Sequence, residues 1–406
     1  TTSENTAVGT TALNGNTGGC NTGLGSSALE NNTGDSNTAV GRRALYLNTS
    51  GTGNTGIGSN SLKSNTTGAN NTAVGKDSLD TNTTSSDNTA VGRFALSANT
   101  AGNNTAVGSC SLKANTSGTD NTSLGSNSLL TNTTGVNNTA LGQGAMYFND
   151  TGGCNVAIGK SSLFKNTTAS GNTAVGDSSL KCNTTGCENT AVGACAMSAT
   201  TTGCGNIAVG KSSLLDLTTG EFNVAIGRQA GENISGGHRN TFVGLNAGGS
   251  TTTGCCNVAI GQNVFYLHTT GIHNVAVGTG AGENITTGNN NVVIGKVAGS
   301  ESSLCNITTG SNNVVIGNNS TTNALIKVDW TVTSDLRDKT NFGTVPHGLD
   351  FVNKLEPISF QFKKSRENDT PTGDKKYGFK AQEILKLEGD NPVIINNKDT
   401  ESLKLT

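Results

Sequence analysis

Aromatic and charged residues are scarce in this chain of 406 residues. Aromatic residues make up 4% of the sequence, charged residues 13% and hydrophobic residues 32%, with 4 prolines but 56 glycines. So little apolar material excludes a conventional globular core, and so little charge is unusual for a disordered chain. The composition favours a β-solenoid or fibre rich in glycine, asparagine and threonine.

The chain also has no large net charge and no long stretch of consecutive hydrophobic residues. The formal net charge is −2, and lysine and arginine are scattered along the chain, so we expect no nucleic-acid partner. No apolar run approaches the roughly twenty residues of a transmembrane helix, so we expect no membrane insertion.

What the chain does contain is a short repeat. A motif typified by Asn-Thr-Ala-Val-Gly recurs nineteen times, mostly sixteen or seventeen residues apart. We call its last residue the marker glycine, and the nineteen are Gly9, Gly25, Gly41, Gly58, Gly75, Gly92, Gly108, Gly125, Gly142, Gly159, Gly176, Gly193, Gly210, Gly227, Gly244, Gly261, Gly278, Gly295 and Gly317. A period this short is typical of a solenoid, in which each unit, or rung, rests on its neighbours.

Within one rung, short segments bounded by glycine, asparagine and threonine are typical of strands, and no helical period exists. An aliphatic residue precedes nearly every marker glycine, as at Val74, and another follows four residues after it, as at Leu79. We predict two strands of about four or five residues per rung, with Gly68 and Gly135 supplying positive φ in the second turn. Asparagine and threonine at fixed positions should stack as hydrogen-bonded ladders.

The energetics of a lone rung predict assembly. Two or three buried aliphatic side chains contribute roughly 1.5–3 kcal/mol each, whereas ordering the backbone costs about 1–2 kcal/mol per residue. A rung therefore needs a second buried apolar surface, and the column of small alanines at Ala7, Ala39, Ala73 and Ala90 is suited to close contact between chains. We predict a homotrimeric fibre whose rungs span roughly 90 Å.

The repeat has two irregularities. From about residue 228 an Ala-Gly pair replaces the earlier leucine-containing pair, and isoleucine appears in the following turn at Ile234 and Ile285, so the cross-section should change there. The last interval, from Gly295 to Gly317, is longer by five residues and should carry a bulge or loop. Over about residues 5–317 the repeat resembles the head of trimeric autotransporter adhesins, which implies a parallel β-roll in a three-chain bundle.

The ten cysteines and four histidines do not have the spacing of a metal site. Most cysteines occupy small-residue positions of the repeat, and Cys187 and Cys204 are one rung apart, close enough to stack about 5 Å from each other. Reduced thiols in turns are favoured over a disulfide framework. His238, His268 and His273 fall at turn positions, and we expect neither a metal nor a cofactor.

The repeat ends near residue 319, and charge and aromatic content then rise. We predict a solenoid shaft over 1–319, a connector strand over 320–333 and a small α+β domain over 334–406. Within this domain the sequence predicts a short helix over 347–355, a strand over 358–363, a loop containing 367–371, and a strand turning into a helix over 377–384.

Three motifs occur in order in this domain: Ser334-Asp335-x-Arg337-x-Lys339-x-Asn341, Leu355-x-Pro357, and Gly378-Phe379-x-Ala381-Gln382-Glu383. They resemble the intramolecular chaperone autoprotease of phage endosialidases and tail fibres, which helps three chains align and is then cut away beside a serine. The resemblance implies Ser334 as nucleophile and Lys339 as general base, with Asp335 flanking the cut. Alternatively, Ser334 and Asp335 cap a short helix and Lys339 is merely solvated.

Together these features predict a structural fibre or adhesin of a virus particle, located in the virion as a tail fibre or appendage. Its expected partners are two further copies of itself, other virion proteins and a host cell-surface receptor such as a glycan. A bacterial surface adhesin and, less favoured, an ice- or surface-binding solenoid are the alternatives. The repeats lack the charged clusters of a solenoid enzyme, so we expect no turnover enzyme there, and the sequence indicates only a single-turnover serine autoprotease in the C-terminal domain.

Overall fold

The structure is a computed structural model that describes residues 4–300, 305–322, 348–365, 368–388, 395–396 and 404–405. The chain divides into two compact units, Thr1–Gly317 and Asn318–Thr406. The first unit is the solenoid, and the second is a small unit with both helix and strand.

The solenoid is built from three-residue strands that pair in parallel, each with the strand of the rung before and the rung after. Opposite Thr72, Ala73 and Val74, for example, lie Thr89, Ala90 and Val91. Because like positions face each other, the described rungs form one parallel sheet along the unit, which confirms the predicted β-solenoid of about 17-residue rungs. Its strands are β1 Thr6–Val8, β2 Thr22–Leu24, β3 Thr38–Val40, β4 Thr55–Ile57, β5 Thr72–Val74, β6 Thr89–Val91, β7 Thr105–Val107, β8 Thr122–Leu124, β9 Thr139–Leu141, β10 Val156–Ile158, β11 Thr173–Val175, β12 Thr190–Val192, β13 Ile207–Val209, β14 Val224–Ile226, β15 Thr241–Val243, β16 Val258–Ile260, β17 Val275–Val277, β18 Val292–Ile294 and β19 Val314–Ile316.

The prediction of two strands of four or five residues per rung is wrong, because each described rung has one strand and the rest is turn. Left-handed backbone after the marker glycine prevents a second strand, with φ of 55° at Asp77 and 49° at Leu79. These turns still bond from rung to rung, as in the hydrogen bond of 3.1 Å from the Leu79 amide nitrogen to the Ala95 carbonyl oxygen. The turns are therefore part of the ladder.

The marker glycines are required by both conformation and space. Gly75 has φ of 134°, and a Cβ added there would lie 2.6 Å from the carbonyl carbon of Gly92. Gly68, in contrast, does not have the predicted positive φ; that conformation falls on Asn70, with φ of 56°. At Gly68 a Cβ would lie 2.4 Å from both Asn65 Oδ1 and the Ser85 carbonyl oxygen, so the glycine there permits close approach of two rungs.

Each chain encloses a buried apolar interior of its own. In most rungs it consists of the leucine or methionine four residues after the marker glycine, exemplified by Leu79 and Met146, together with the alanine in the middle of the strand. Ala39, Ala73 and Ala90 have no exposed surface, and Ala7 in the first rung is exposed. The prediction that this column makes contact between chains is therefore wrong: alternate side chains of a strand point to opposite faces, and here the middle one points inward.

The predicted asparagine ladders are confirmed, and there are two. In the column just before the strands, the Asn71 amide nitrogen donates to Asn54 Oδ1 at 2.9 Å, and Asn71 Nδ2 donates to the Ser85 carbonyl oxygen at 2.8 Å. In the column seven residues after the marker glycine, Asn82 Nδ2 donates to Asn65 Oδ1 at 2.9 Å. Because these side chains are fully buried, their hydrogen bonds offset the cost of removing polar groups from water.

The interior changes where the sequence pattern changes. The buried Phe242 ring fills space left by glycine, since a Cβ at Gly231 or Gly248 would lie 2.8 Å or 2.7 Å from it. Buried isoleucines at Ile234 and Ile285 replace the second asparagine ladder in those rungs. The final interval keeps the parallel pairing with a longer step, because Val292 lies opposite Val314.

The second unit contains helix α1 (Leu349–Val352), antiparallel strands β20 (Ile358–Ser365) and β21 (Asn368–Gly378), helix α2 (Ala381–Glu388), and the short pair β22 (Ile395–Asn396) and β23 (Lys404–Leu405). The predicted short helix, first strand and strand-to-helix transition are confirmed. The loop predicted to contain 367–371 is wrong from Asn368 onward, where strand β21 begins. Among the described residues β21 pairs only with β20, and a proline is tolerated in such a ribbon where its missing N–H would face the unpaired edge.

Candidate functional site

One continuous apolar strip runs along the outside of the solenoid. It consists of the aliphatic residue before each marker glycine, which we call the outer column: Val8, Leu24, Val40, Ile57, Val74, Val91, Val107, Leu124, Leu141, Ile158, Val175, Val192, Val209, Ile226, Val243, Ile260, Val277, Ile294 and Ile316. Every member is exposed or half-buried, with 43% of Ile226 and 40% of Ile260 exposed. Such a strip is unusual for the surface of a monomer, where large apolar patches mark interaction sites.

The other outward position of each strand reinforces the strip in the later rungs. In the first nine strands this position is threonine. From β10 onward it is often aliphatic, at Val156, Ile207, Val224, Val258, Val275, Val292 and Val314, and all seven are exposed or half-buried. The outward sheet face is therefore more apolar in the second half of the solenoid, which the period alone does not reveal.

The cysteines are free thiols, and two of them stack. The Sγ atoms of Cys187 and Cys204 are 2.9 Å apart, and the Cys187 amide nitrogen donates to Cys204 Sγ at 3.0 Å. The thiol–thiol hydrogen bond, with burial and the nearby charge of the partner, raises the pKa of Cys187 to about 11. Among the described residues, no group of three or more histidine, cysteine and acidic side chains could hold a metal ion.

His268 lies inside the solenoid, although the sequence suggested only a turn position. It occupies the position of the second asparagine ladder and has no exposed surface. Its Nδ1 shares a hydrogen bond with Thr251 Oγ1 at 3.2 Å, and its ring packs 5.0 Å from that of Phe265. Burial in these surroundings lowers the pKa of His268 to about 4, because the charged imidazolium would lose its hydration.

This histidine predicts acid sensitivity of the solenoid. The unfolded chain takes up a proton at His268 near pH 6.5 and the folded chain only near pH 4, so the stability contributed above pH 6.5 is lost as pH falls between these values. The loss should reach roughly 3 kcal/mol at the acidic end. His268→Asn, which restores the ladder residue, should reduce the shift of the denaturation midpoint between about pH 7 and pH 4.

A matched control for this prediction is His238→Asn, since His238 is an exposed histidine of the same unit. If the His268→Asn variant shows the same acid-induced shift of the midpoint as the unmodified chain and the control, burial of the neutral imidazole does not determine the acid sensitivity.

In the second unit, two of the three C-terminal motifs meet at one cleft. The cleft has a volume of about 230 Å³, and its lining includes Leu355 from the second motif and Phe379 and Glu383 from the third. Lys380 Nζ donates to Glu383 Oε1 at 2.7 Å, and this hydrogen bond raises the pKa of Lys380. The two motifs thus shape one local surface, beside the first turn of α2.

The predicted nucleophile Ser334, its flanking residue Asp335 and the predicted base Lys339 all lie outside the described residues, as does most of the predicted connector strand over 320–333. Their roles stay predictions. No helix among the described residues is long and apolar enough to cross a membrane.

Comparison with known proteins identifies the C-terminal part of the chain. Residues 334–391 match the model of the peptidase S74 family, described as the chaperone of endosialidase. No curated protein matches the chain. The match includes all three motifs, so the chain carries a C-terminal domain of the endosialidase-chaperone type after a parallel β-solenoid, as the motifs predicted.

Proposed function

We propose that this chain is the shaft of a trimeric fibre of a virus particle, used for host attachment and located in the virion as a tail fibre or appendage. The observation that carries the proposal is the order of its parts: a β-solenoid followed by a domain that matches the chaperone of endosialidase. Other virion proteins would hold one end of the fibre, and a host cell-surface receptor would be bound along the shaft.

The outer column supports assembly from identical chains. Each copy presents the same aliphatic strip at the spacing of the parallel sheet, about 4.8 Å per rung, so strips from three parallel chains can meet around a common axis. Each exposed square ångström of apolar surface that is covered contributes about 25 cal/mol. Assembly therefore rests on this strip and not on the alanine column, whose members are already buried.

The repeat also explains the need for a chaperone domain. A chain displaced by one whole rung against its partners would place the same kinds of residue opposite each other and lose the contacts of a single rung. Local interactions along the shaft therefore discriminate poorly between registers. A globular domain that associates at one end would set the register of the three chains before their shafts associate.

Release of this domain by self-cleavage is the chemical part of the proposal. The Ser334 hydroxyl would lose its proton to Lys339 and attack a neighbouring peptide carbonyl. An ester would form as the peptide C–N bond breaks and the leaving amine takes up that proton, and water would then hydrolyse the ester. The Lys339 amine is a competent base when its site is partly desolvated. We expect the purified chain to yield a fragment of roughly 333 residues on a denaturing gel. Ser334→Ala and Lys339→Gln should each leave a band of full length.

Lys354→Gln is the matched control, because Lys354 lies in the same domain but outside the first motif, and this variant should still be cut. A full-length band from the unmodified chain would refute self-cleavage and leave the assembly role of the domain. Equal cutting of all four proteins would show that a contaminating protease is responsible.

A further inference from the structure

Three aromatic rings lie together on the surface of a solenoid that has few aromatic residues. The ring centroids of Tyr147 and Phe148 are 4.6 Å apart, those of Tyr147 and Phe164 5.2 Å, and those of Phe148 and Phe164 5.3 Å. Phe148 is 44% exposed, and the other two rings are half-buried. We call these three residues the aromatic patch.

The aromatic patch is local, unlike the outer column. It occupies the positions five and six residues after the marker glycines Gly142 and Gly159. Tyr46 and Tyr266 occupy the first of these positions in other rungs, but among the described residues no second group of three rings in contact occurs. Contact between parallel chains in register would favour a feature that recurs from rung to rung. A patch confined to two rungs is better suited to a ligand of limited size.

Two lysines, Lys165 and Lys181, lie next to the aromatic patch in the sequence and in the following rung. The Phe148 amide nitrogen donates to the Phe164 carbonyl oxygen at 3.0 Å, and the Lys165 amide nitrogen donates in the same way to the Lys181 carbonyl oxygen at 3.0 Å. Both lysine side chains are exposed, and neither forms a salt bridge with a described residue. Lys165 thus follows Phe164 directly along the chain, and Lys181 lies one rung beyond it, at the position that Phe164 has in its own rung.

We propose that the aromatic patch, together with Lys165 and Lys181, binds a carboxylated saccharide. The C–H face of a pyranose ring is apolar and carries slight positive charge, so it can stack on the electron-rich faces of aromatic rings. A carboxylate on the same or the next sugar would accept hydrogen bonds from the lysine ammonium groups. The inference rests on the proposed attachment function and specifies the ligand class that the shaft would recognise.

Three copies per fibre would strengthen this contact. A single site made of exposed rings and exposed ammonium groups binds weakly, because solvent screens the charges. A polysaccharide that reaches two or three sites of one trimer raises the effective concentration at the second and third. We therefore expect polymers to bind more tightly than the corresponding short oligosaccharides, and increased salt to weaken both.

The test uses the full chain and immobilised alginate, polygalacturonate and hyaluronan, with uncharged dextran as the reference surface. Phe148→Ala combined with Phe164→Ala should reduce binding to the acidic polymers roughly tenfold or more. Lys165→Gln combined with Lys181→Gln should weaken binding by about threefold or more and reduce its salt dependence. The matched control is Tyr266→Ala combined with Leu267→Ala, exposed residues at the same two positions of another rung.

Three outcomes would overturn the inference: no binding to any of the three acidic polymers, equal binding to dextran, or equal losses in the patch variants and the control. Sedimentation of each variant is measured in parallel. Absence of binding by a well-assembled trimer removes the saccharide site and leaves the fibre proposal intact. Binding by a chain that sediments as a monomer removes trimeric assembly and leaves the saccharide site intact.

Discussion

Ile226→Asp combined with Ile260→Asp should turn the fibre into single folded chains. Both side chains belong to the outer column and are 43% and 40% exposed, so a carboxylate there is readily hydrated in the lone chain. In the assembled shaft each carboxylate would be buried among apolar side chains from the partner chains. An unpaired charge in such surroundings costs several kcal/mol, and three chains would place six of them at one axis.

Light scattering after size-exclusion chromatography measures the mass of the particle in solution, and hence the number of chains in it. We expect the mass of three chains for the unmodified protein and of one chain for the variant, with unchanged circular dichroism. Thr219→Asp combined with Thr253→Asp is the matched control, since these exposed threonines occupy equivalent turn positions of the same two rungs. A variant that keeps the mass of three chains would show that the outer column is not the interface.

Gly75→Ala should be among the most destabilising single substitutions in the solenoid. The added methyl group would lie 2.6 Å from the carbonyl carbon and oxygen of Gly92, backbone atoms that cannot move without disturbing the adjacent rung. The backbone there has φ of 134°, a conformation that residues other than glycine rarely adopt. Together the clash and the conformational strain should lower the free energy of unfolding by more than about 3 kcal/mol.

Denaturant unfolding followed by circular dichroism measures the change in the free energy of unfolding. Gly236→Ala is the control, because its Cβ would meet only Thr219 Oγ1, at 3.8 Å, and its backbone is outside the left-handed region. That substitution should change the free energy of unfolding by less than about 1 kcal/mol. Equal effects of the two substitutions would mean that the marker glycine is not required by the close approach of neighbouring rungs.

The sequence predicted the period, the parallel stacking and the ladders, because a fixed spacing places like residues opposite each other. It did not reveal which strand residue points inward, since alternation is compatible with either choice. A usable signal was the small size of the middle residue throughout most rungs, as at Gly23, Gly56 and Ser123. A Cβ at Gly23 would lie 3.0 Å from the side chain of the half-buried Leu13, so contact with the leucine column limits that position to small residues.

In the C-terminal unit, local residue preferences did not predict the secondary structure correctly. The run from Asn368 to Gly373 contains proline, glycine, asparagine and aspartate, which are typical of a loop, yet it lies in strand β21. Pairing of Lys363 with Pro371 across the ribbon outweighs these local preferences. Ser334, Asp335 and Lys339 were predicted from a motif alone, and their arrangement stays a prediction.

The mass of the unmodified chain in solution tests the central claim most directly. Sedimentation equilibrium at several concentrations should give three times the chain mass of 41.0 kDa, or three times the mass of the shaft fragment if self-cleavage has occurred. A folded single chain with a full complement of β-structure, stable across the same concentrations, would contradict the proposal that exposed aliphatic columns join identical chains into a fibre.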